Sequence, residues 1–475
     1  MSAWLSPQSL AALAVTLIFV AVALQRPARA VLAYAVLGAV PPVIQLGAFS
    51  GRTISQGLLL AEALATVLFG AWLSQRQASS RFPRTAFDVP LLVFAAVCMA
   101  SMIGILVLPD HRIEFSASLA VSVAQLLLVV WPIGVYLAAA EFITDTSHLR
   151  WIQRAVIALA IVQIPAALAP LPWKPYLGWS ATFGLFASPF ALAAIFSTSS
   201  LAARAYYLVV ALLPFVLGVQ GGKAFLYGFV ATSGLVIVWM RASKAAAFLA
   251  GAGAVMVLVA VGLFGEEALL LPAEILLDKE RSQMSFGGNS GRGALAAAAL
   301  SIWQEAPILG VGPGNSYLYM LQRSPIGTPH NQYLNLLVEF GILGLAAWIA
   351  FLVATWRTGL RIYREATVPA HRTFALGWLG MFAGMVAGGI TGDFMIHSIR
   401  NGGLELFSGF YLQWVLLGGL VAIPAIERRR QTPAAVPARR SRFWRASPPR
   451  PRRPVPAAAT AASSGASAAA RLWSR

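Results

Sequence analysis

The sequence predicts an all-α, polytopic integral membrane protein with about 12–13 transmembrane helices and one large external loop. Hydrophobic residues make up 58% of the 475 residues, mean hydropathy is +0.73, and only 11% of residues are charged. Soluble domains average about 25% charged residues. Apolar runs of about 20 residues, the length that crosses a bilayer as a helix, recur along the chain.

About 13 apolar runs predict the transmembrane helices. No basic segment precedes the first run, Leu10–Leu24, and it has no clear signal-peptide cleavage site. We therefore interpret it as a retained span. Runs near Pro189 and Pro214 are expected to kink. The predicted spans are 8–24, 31–48, 56–74, 87–108, 116–140, 152–170, 181–199, 205–221, 224–240, 246–265, 334–356, 373–392 and 403–424.

Basic residues predict the orientation of these spans. With the C-terminus in the cytoplasm, 26 of the 35 Lys and Arg residues fall on the cytoplasmic side, as the positive-inside rule requires. The opposite orientation reverses this ratio. The N-terminus then lies outside if the count of 13 spans holds.

Two segments differ from the rest of the chain. Residues 266–333 form a long external connection, in which Leu295–Trp303 predicts a short helix. Residues 427–475 carry 12 Arg and one Glu among Pro, Ala and Ser, which predicts a disordered cytoplasmic tail near anionic lipids, not a nucleic-acid-binding domain. We therefore divide the chain into a transmembrane domain, 1–426, and this tail.

Three external cations are candidates for binding a phosphate group. Lys223 follows two glycines in VQGGKAFLYG, Arg292 lies in NSGRGA, and Arg400 lies in HSIRNGG before the last span. Arginine binds phosphate bidentately and lysine binds it as a point charge. Headgroup snorkelling is the alternative reading for each of them.

One polar segment before a hydrophobic span carries the candidate catalytic residue, His330. Imidazole titrates near neutral pH and suits a general base. Upstream, Gly310, Gly312 and Gly314 permit backbone shapes closed to other residues, in a turn that is not a P-loop. The sequence shows no metal-binding motif, so we predict neither a metal nor a cofactor.

The run Gly310–Leu345 resembles the signature of the O-antigen ligase and polymerase superfamily. The matching motifs are GVGPGN, HNQYL (His330 to Leu334) and EFGILGL (Glu339 to Leu345), preceded by SGRGALAAAALSIWQEAPILG. TFGLFASPFALAAIF resembles a further family segment, with Ser188 and Phe190 in place of two asparagines. GVQGGKAFLYG resembles the family's SRG step, with Lys223 in place of arginine.

The resemblance implies a bacterial inner-membrane glycosyltransferase with its active site on the periplasmic side. The donor would be an undecaprenyl-diphosphate-linked glycan and the acceptor lipid A core or a growing polysaccharide. His330 would activate the acceptor hydroxyl, with inversion at the anomeric carbon and no metal. Arg292, Lys223 and, less directly, Arg400 would hold the diphosphate. Asn331, Tyr333 and Glu339 would position the loop.

Alternative functions remain open at this stage. A polysaccharide polymerase or a protein O-oligosaccharyltransferase of the same superfamily differs only in the acceptor. A transporter or flippase for lipid-linked sugars predicts charges within spans and symmetric halves, whereas the polar residues here concentrate at the outer edge.

Overall fold

The computed structural model describes ten segments of the chain. Several predicted features lie outside them: Lys223, Arg400, the spans 224–240 and 246–265, and the tail beyond Gln431. The described residues are 7–38, 43–44, 58–75, 85–107, 115–168, 180–221, 292–324, 327–390, 395–396 and 411–431.

The described residues form thirteen helices, which confirms the all-α prediction. One small antiparallel pair of strands, Val43–Ile44 with Leu58–Leu59, is an exception to it. The helices are α1 Pro7–Gln25, α2 Pro27–Leu37, α3 Leu60–Gln75, α4 Asp88–Val107, α5 Phe115–Phe142, α6 Thr146–Leu168, α7 Ser180–Ser197, α8 Leu201–Gly221, α9 Arg292–Glu305, α10 Ser316–Arg323, α11 Gln332–Glu365, α12 Pro369–Gly388 and α13 Tyr411–Gln431.

Every predicted span on described residues overlaps a helix, and most boundaries agree within a few residues. The predicted span 31–48 is wrong at its end, because α2 ends at Leu37 and Val43–Ile44 form a strand. Helices α11 and α13 extend past the predicted spans 334–356 and 403–424. Both extensions are arginine-rich, and cations favour the C-terminal end of a helix. The eight-residue α10 is polar and was missed because it has no apolar run.

Large apolar side chains cover the outer surface of the bundle. Leu17 is 62% exposed, Ile18 66% and Val209 62%. Such a surface is unfavourable in water and favourable in a lipid bilayer. Within the described residues, Val121–Phe142 and Gln332–Glu365 are long and apolar enough to cross a membrane on their own. The protein is therefore an all-α membrane protein.

The buried core is aromatic where α4, α11 and α13 meet. Phe94 on α4 packs against Phe340 and Trp348 on α11, with ring centroids 5.6 and 5.0 Å apart. Phe351 on α11 stacks on Trp414 of α13 at 6.0 Å. Offset and edge contacts of this kind are favoured between aromatic rings. They fix the long helix α11, whose first half carries the candidate site.

A buried polar network joins α13, α6 and the turn between α11 and α12. Glu427, near the end of α13, accepts hydrogen bonds from the backbone N–H groups of Thr367 (3.0 Å) and Val368 (3.1 Å). Its carboxylate lies 2.8 Å from Nδ1 of the buried His371. The other ring nitrogen of His371 lies 2.7 Å from Thr146 Oγ1 on α6. One carboxylate thus ties the α11–α12 turn to α13 and, through His371, to α6.

The pKa of Glu427, which lies beyond the predicted span 403–424, is lowered from its usual value. Burial acts in the raising direction, but hydrogen bonds from His371, Val368 and Thr367 outweigh it. A depressed pKa means that the folded state favours the ionised carboxylate. This contribution to stability is complete above the unfolded-state pKa, about 4.3, and is lost as pH falls through the folded-state pKa.

We predict that Glu427→Gln lowers the free energy of unfolding by about 1–3 kcal/mol at neutral pH, because the charged acceptor of several buried donors is lost. The difference from wild type should shrink below about pH 4. Unfolding in detergent across a pH series measures it. Glu365→Gln, at an exposed carboxylate, is the matched control and should change stability by less than about 0.5 kcal/mol. Equal effects of the two substitutions would contradict the network's role.

Candidate functional site

Helix α11 is broken at Gly341, where φ is 64° and ψ is −167°. The break frees four backbone groups that would otherwise pair within the helix. Val338 and Glu339 carbonyls instead accept from Val311 N (2.9 Å) and Gly312 N (3.0 Å). Buried backbone groups need such partners, above all in a membrane protein.

The other two freed groups are the N–H groups that follow the break. Ile342 N donates to Pro307 O at 2.9 Å, and Leu343 N donates to Ile308 O at 3.4 Å. Two intrahelical pairs are thus exchanged for four hydrogen bonds to residues 307–312. The glycine turn is consequently joined to α11 as one unit.

Glycine is required on both sides of this junction. A Cβ on Gly341 would overlap the backbone of Ile308, and a Cβ on Gly310 would overlap the backbone of Glu339. Gly310, Gly312 and Gly314 have φ values of 72°, 97° and 70°, a region that L side chains rarely adopt. Their predicted role in shaping a special backbone is consistent with these angles.

Helix α5 holds the far side of the glycine turn through the buried Asn315. Asn315 Nδ2 donates to Ser122 Oγ (3.0 Å) and Val311 O (3.2 Å), and its Oδ1 accepts from Ser118 Oγ (2.9 Å). Ser122 Oγ in turn donates to Pro313 O at 2.8 Å. The asparagine of GVGPGN therefore fastens the turn to the membrane helix beside it.

Glu339 is buried at the same junction, with 3% of its surface exposed. Its Oε1 accepts a 2.6 Å hydrogen bond from Ser316 Oγ, the first residue of α10. Its backbone carbonyl accepts from Gly312. Through these contacts Glu339 holds the start of α10 and the glycine turn against α11.

His330 lies exposed immediately before α11, with a left-handed φ of 51°. Its backbone N–H donates to Thr328 Oγ1 at 3.2 Å. Asn331 is the N-cap of α11, and its Oδ1 accepts from Tyr333 N (3.0 Å) and Leu334 N (3.1 Å). Asn331 therefore fixes the backbone next to His330 by capping the N-terminus of α11.

Two anchors attach this helix start to α12. Tyr333 Oη donates to Val386 O at 2.8 Å, and Gln332 N donates to Gly389 O at 2.9 Å. A tyrosine that packs its ring and bonds its hydroxyl to a carbonyl holds the helix end in place. Tyr333 thus has the contacts of a positioning residue.

Sequence reasoning missed two buried glutamines near this point. Gln332 Oε1 accepts from Met395 N, and Gln413 Nε2 on α13 donates to Met395 O, each at 2.9 Å. Buried amides are costly unless paired. The sequence signal was Gln413 itself, because a glutamine within an apolar helix needs a buried hydrogen-bond partner.

The helices α9 and α10 pack beside the glycine turn. Leu295, Ala299, Ile302 and Met320 form a small apolar cluster with Val338 of α11. Arg323 at the end of α10 forms an ion pair with Glu305 and donates to Ser301 Oγ at 2.7 Å. The predicted helix Leu295–Trp303 is present as the longer Arg292–Glu305.

The structure brings some predicted site residues together and leaves others apart or undescribed. The glycine turn meets Glu339, whereas His330 precedes Glu339 by nine positions, or about 13 Å of helix rise. Arg292 begins α9, but its side chain is outside the described part, as are Lys223 and Arg400. In the described ranges, no group of three or more His, Cys, Asp or Glu could hold a metal.

Residues 183–349, about a third of the chain, match a family model described as O-antigen ligase. The match supports the assignment of these residues to the O-antigen ligase and polymerase superfamily. A search of curated proteins finds no match. The matched range includes Lys223, Arg292 and His330 and ends before Arg400.

Two departures from the superfamily pattern have structural roles in this chain. Ser188 Oγ, on α7, donates to Ala211 O of α8 at 2.8 Å. Phe190 is fully buried and lies 5.3 Å, centroid to centroid, from Phe374 of α12. Both residues therefore serve the packing of α7.

We predict that Gly341→Ala destabilises the protein by at least about 2 kcal/mol, because it combines a left-handed φ with a backbone overlap. Unfolding in detergent measures this. Gly293→Ala, on α9, is the control, since a Cβ there meets nothing within 4 Å. Similar stability of Gly341→Ala and wild type would show that the break is not needed.

A double-mutant cycle tests the Ser316–Glu339 contact. Ser316→Ala and Glu339→Gln should each cost stability, and the double variant should cost about 1–3 kcal/mol less than their sum. Additive effects would mean that Glu339 acts through some other contact.

Proposed function

We propose that the protein transfers a glycan from an undecaprenyl-diphosphate carrier to an acceptor hydroxyl at the outer face of the bacterial inner membrane. The observation that carries this proposal is His330, an exposed imidazole in a left-handed backbone conformation at the start of a membrane helix. Strained residues of this kind concentrate at functional sites. The match of residues 183–349 to the O-antigen ligase family supports the same reaction class.

In the proposed reaction His330 takes the proton of the acceptor hydroxyl. The hydroxyl oxygen attacks the anomeric carbon, a new glycosidic bond forms, and the bond from that carbon to the diphosphate oxygen breaks. Attack from the opposite face inverts the carbon. An exposed imidazole at the end of a span is accessible to an acceptor, and imidazole is a side chain suited to general-base catalysis near neutral pH.

Cations stabilise the departing diphosphate in this proposal. Arg292 is the first residue of α9, and the N-terminal end of a helix favours an anion through the helix dipole. Lys223 and Arg400 are the further candidates from the sequence. Preorganised positive charge is the usual means of lowering the barrier for such a leaving group, so we propose a reaction that needs no metal.

The positive-inside rule supports an active site on the periplasmic side. Helix α11 begins beside His330 and carries Arg357, Arg361 and Arg364 near its other end. Placing these arginines in the cytoplasm puts His330 outside. The C-terminus is then cytoplasmic, because α13 ends with Arg428–Arg430 near the α11–α12 turn that Glu427 contacts.

Lipid A core is the acceptor that we propose first, and a growing polysaccharide is the second. Membrane lipids surround the protein in either case. Protein acceptors are the third possibility that an assay should include, since a hydroxyl nucleophile is common to all three.

We predict that His330→Asn lowers transfer by at least about 100-fold, since it removes the general base. Asparagine tolerates a left-handed backbone, so this substitution keeps the local fold. The purified protein in nanodiscs is supplied with a polyprenyl-diphosphate-linked glycan and each acceptor, with and without EDTA. Product mass identifies the acceptor.

The control is an unchanged melting temperature for His330→Asn, together with His330→Gly, which also relieves the left-handed strain. Transfer at the wild-type rate in both variants would remove His330 from the mechanism. Loss of wild-type transfer in EDTA would contradict metal independence.

A further inference from the structure

A polar cavity lies at the opposite end of the bundle from His330. Its volume is about 740 Å³, within the usual size range of ligand sites. Four separate parts of the chain form it: the α1–α2 turn, the end of α3, the α5–α6 turn and the end of α13. The lining residues are Arg26, Pro27, Ala28, Arg29, Gln75, Glu141, Phe142, Thr144, His148 and Arg429.

Helix α5 fixes the separation between the two sites. Ser122 of α5 bonds the glycine turn, and Glu141 of the same helix lines the cavity. Nineteen positions of helix correspond to about 28 Å, close to the thickness of a bilayer's hydrocarbon core. The cavity therefore lies at the membrane face that the positive-inside rule assigns to the cytoplasm.

Positive charge dominates the lining. Arg26, Arg29 and Arg429 line the cavity, and Glu141 is the one acidic residue among the lining residues. The nearby Asp145 is outside the lining, and its Oδ1 accepts a 2.6 Å bond from Ser147 N. Three guanidinium groups around one cavity can bind a phosphate through several charge-assisted hydrogen bonds.

The walls of the cavity are fixed by local hydrogen bonds. Gln75 Nε2 donates to the backbone of Ala23 at 3.1 Å, which joins the ends of α3 and α1. Arg26 N donates to Val22 O at 2.7 Å. Thr144 N donates to His148 Nδ1 at 3.4 Å, so Nε2 is the ring nitrogen left to donate to a ligand.

Apolar surface adjoins the charged cavity. Leu24, next to the α1–α2 turn, is 56% exposed, and Leu73, near the end of α3, is 54% exposed. A free phosphate gains nothing from contact with apolar surface, whereas the acyl chains of a phospholipid pack favourably against it. The combination of a cationic cavity and an apolar rim at a membrane face fits an anionic lipid.

We propose that this cavity binds the headgroup phosphate of an anionic phospholipid, with Arg26, Arg29 and Arg429 as the phosphate contacts and His148 as a further donor. The site is separate from the proposed transfer reaction and does not depend on it.

The test compares lipid retention by variants of the full chain. Wild type, Arg26→Ala/Arg29→Ala and the charge-matched control Arg357→Ala/Arg361→Ala are reconstituted with equimolar phosphatidylglycerol and phosphatidylcholine. Co-purifying lipid is counted by mass spectrometry, and melting temperature verifies the fold. We expect the cavity variant to retain roughly tenfold less phosphatidylglycerol than wild type or the control.

Two outcomes would overturn the proposal. Equal losses in the cavity and control variants would mean general attraction to anionic lipid instead of a site. Displacement of phosphatidylglycerol from wild type by excess inorganic phosphate would mean that the cavity takes a free anion. A cavity variant that fails to fold is replaced by Arg429→Gln, for which the same selective loss is required.

Discussion

The exchange of backbone hydrogen bonds at Gly341 is the constraint on which the candidate site depends. A membrane helix cannot leave its N–H and C=O groups unpaired, and α11 interrupts its own hydrogen-bond ladder at Gly341, its tenth residue. Residues 307–312 supply the missing partners. The glycine turn is thereby hydrogen-bonded to the membrane helix, although in the sequence it belongs to the predicted external connection, 266–333.

This arrangement gives a rigid support to a polar surface. The first turns of α11 are joined to the glycine turn by backbone bonds, to α12 by Tyr333, and to α13 through Gln332 and Met395. His330 sits at the end of that assembly. Catalytic groups need such preorganisation, because small displacements of a base are costly to the rate. The structure describes the residues that hold the start of α11. Of the three candidate cations, it describes only the backbone of Arg292.

Much of the fold could be predicted because hydrophobic length alone identifies a membrane helix, as for α4 and α5. The break at Gly341 could not be predicted, because glycine is common within membrane helices. Its φ depends on a partner segment about 30 positions earlier in the chain. Motif resemblance indicated Asn331 and Glu339 as positioning residues. It did not reveal that Asn331 acts as a helix cap or that Glu339 pairs with Ser316, because those contacts depend on the folded backbone.

We propose that His330 and the external cations form one site for a lipid-linked diphosphate. The most direct measurement is an experimental structure of the protein with a non-hydrolysable polyprenyl-diphosphate donor analogue. We expect the diphosphate to contact Arg292 and Lys223, and the anomeric carbon to lie within about 5 Å of the His330 imidazole, which leaves room for the acceptor oxygen. A diphosphate bound more than about 15 Å from His330, with no shared cavity, would contradict it.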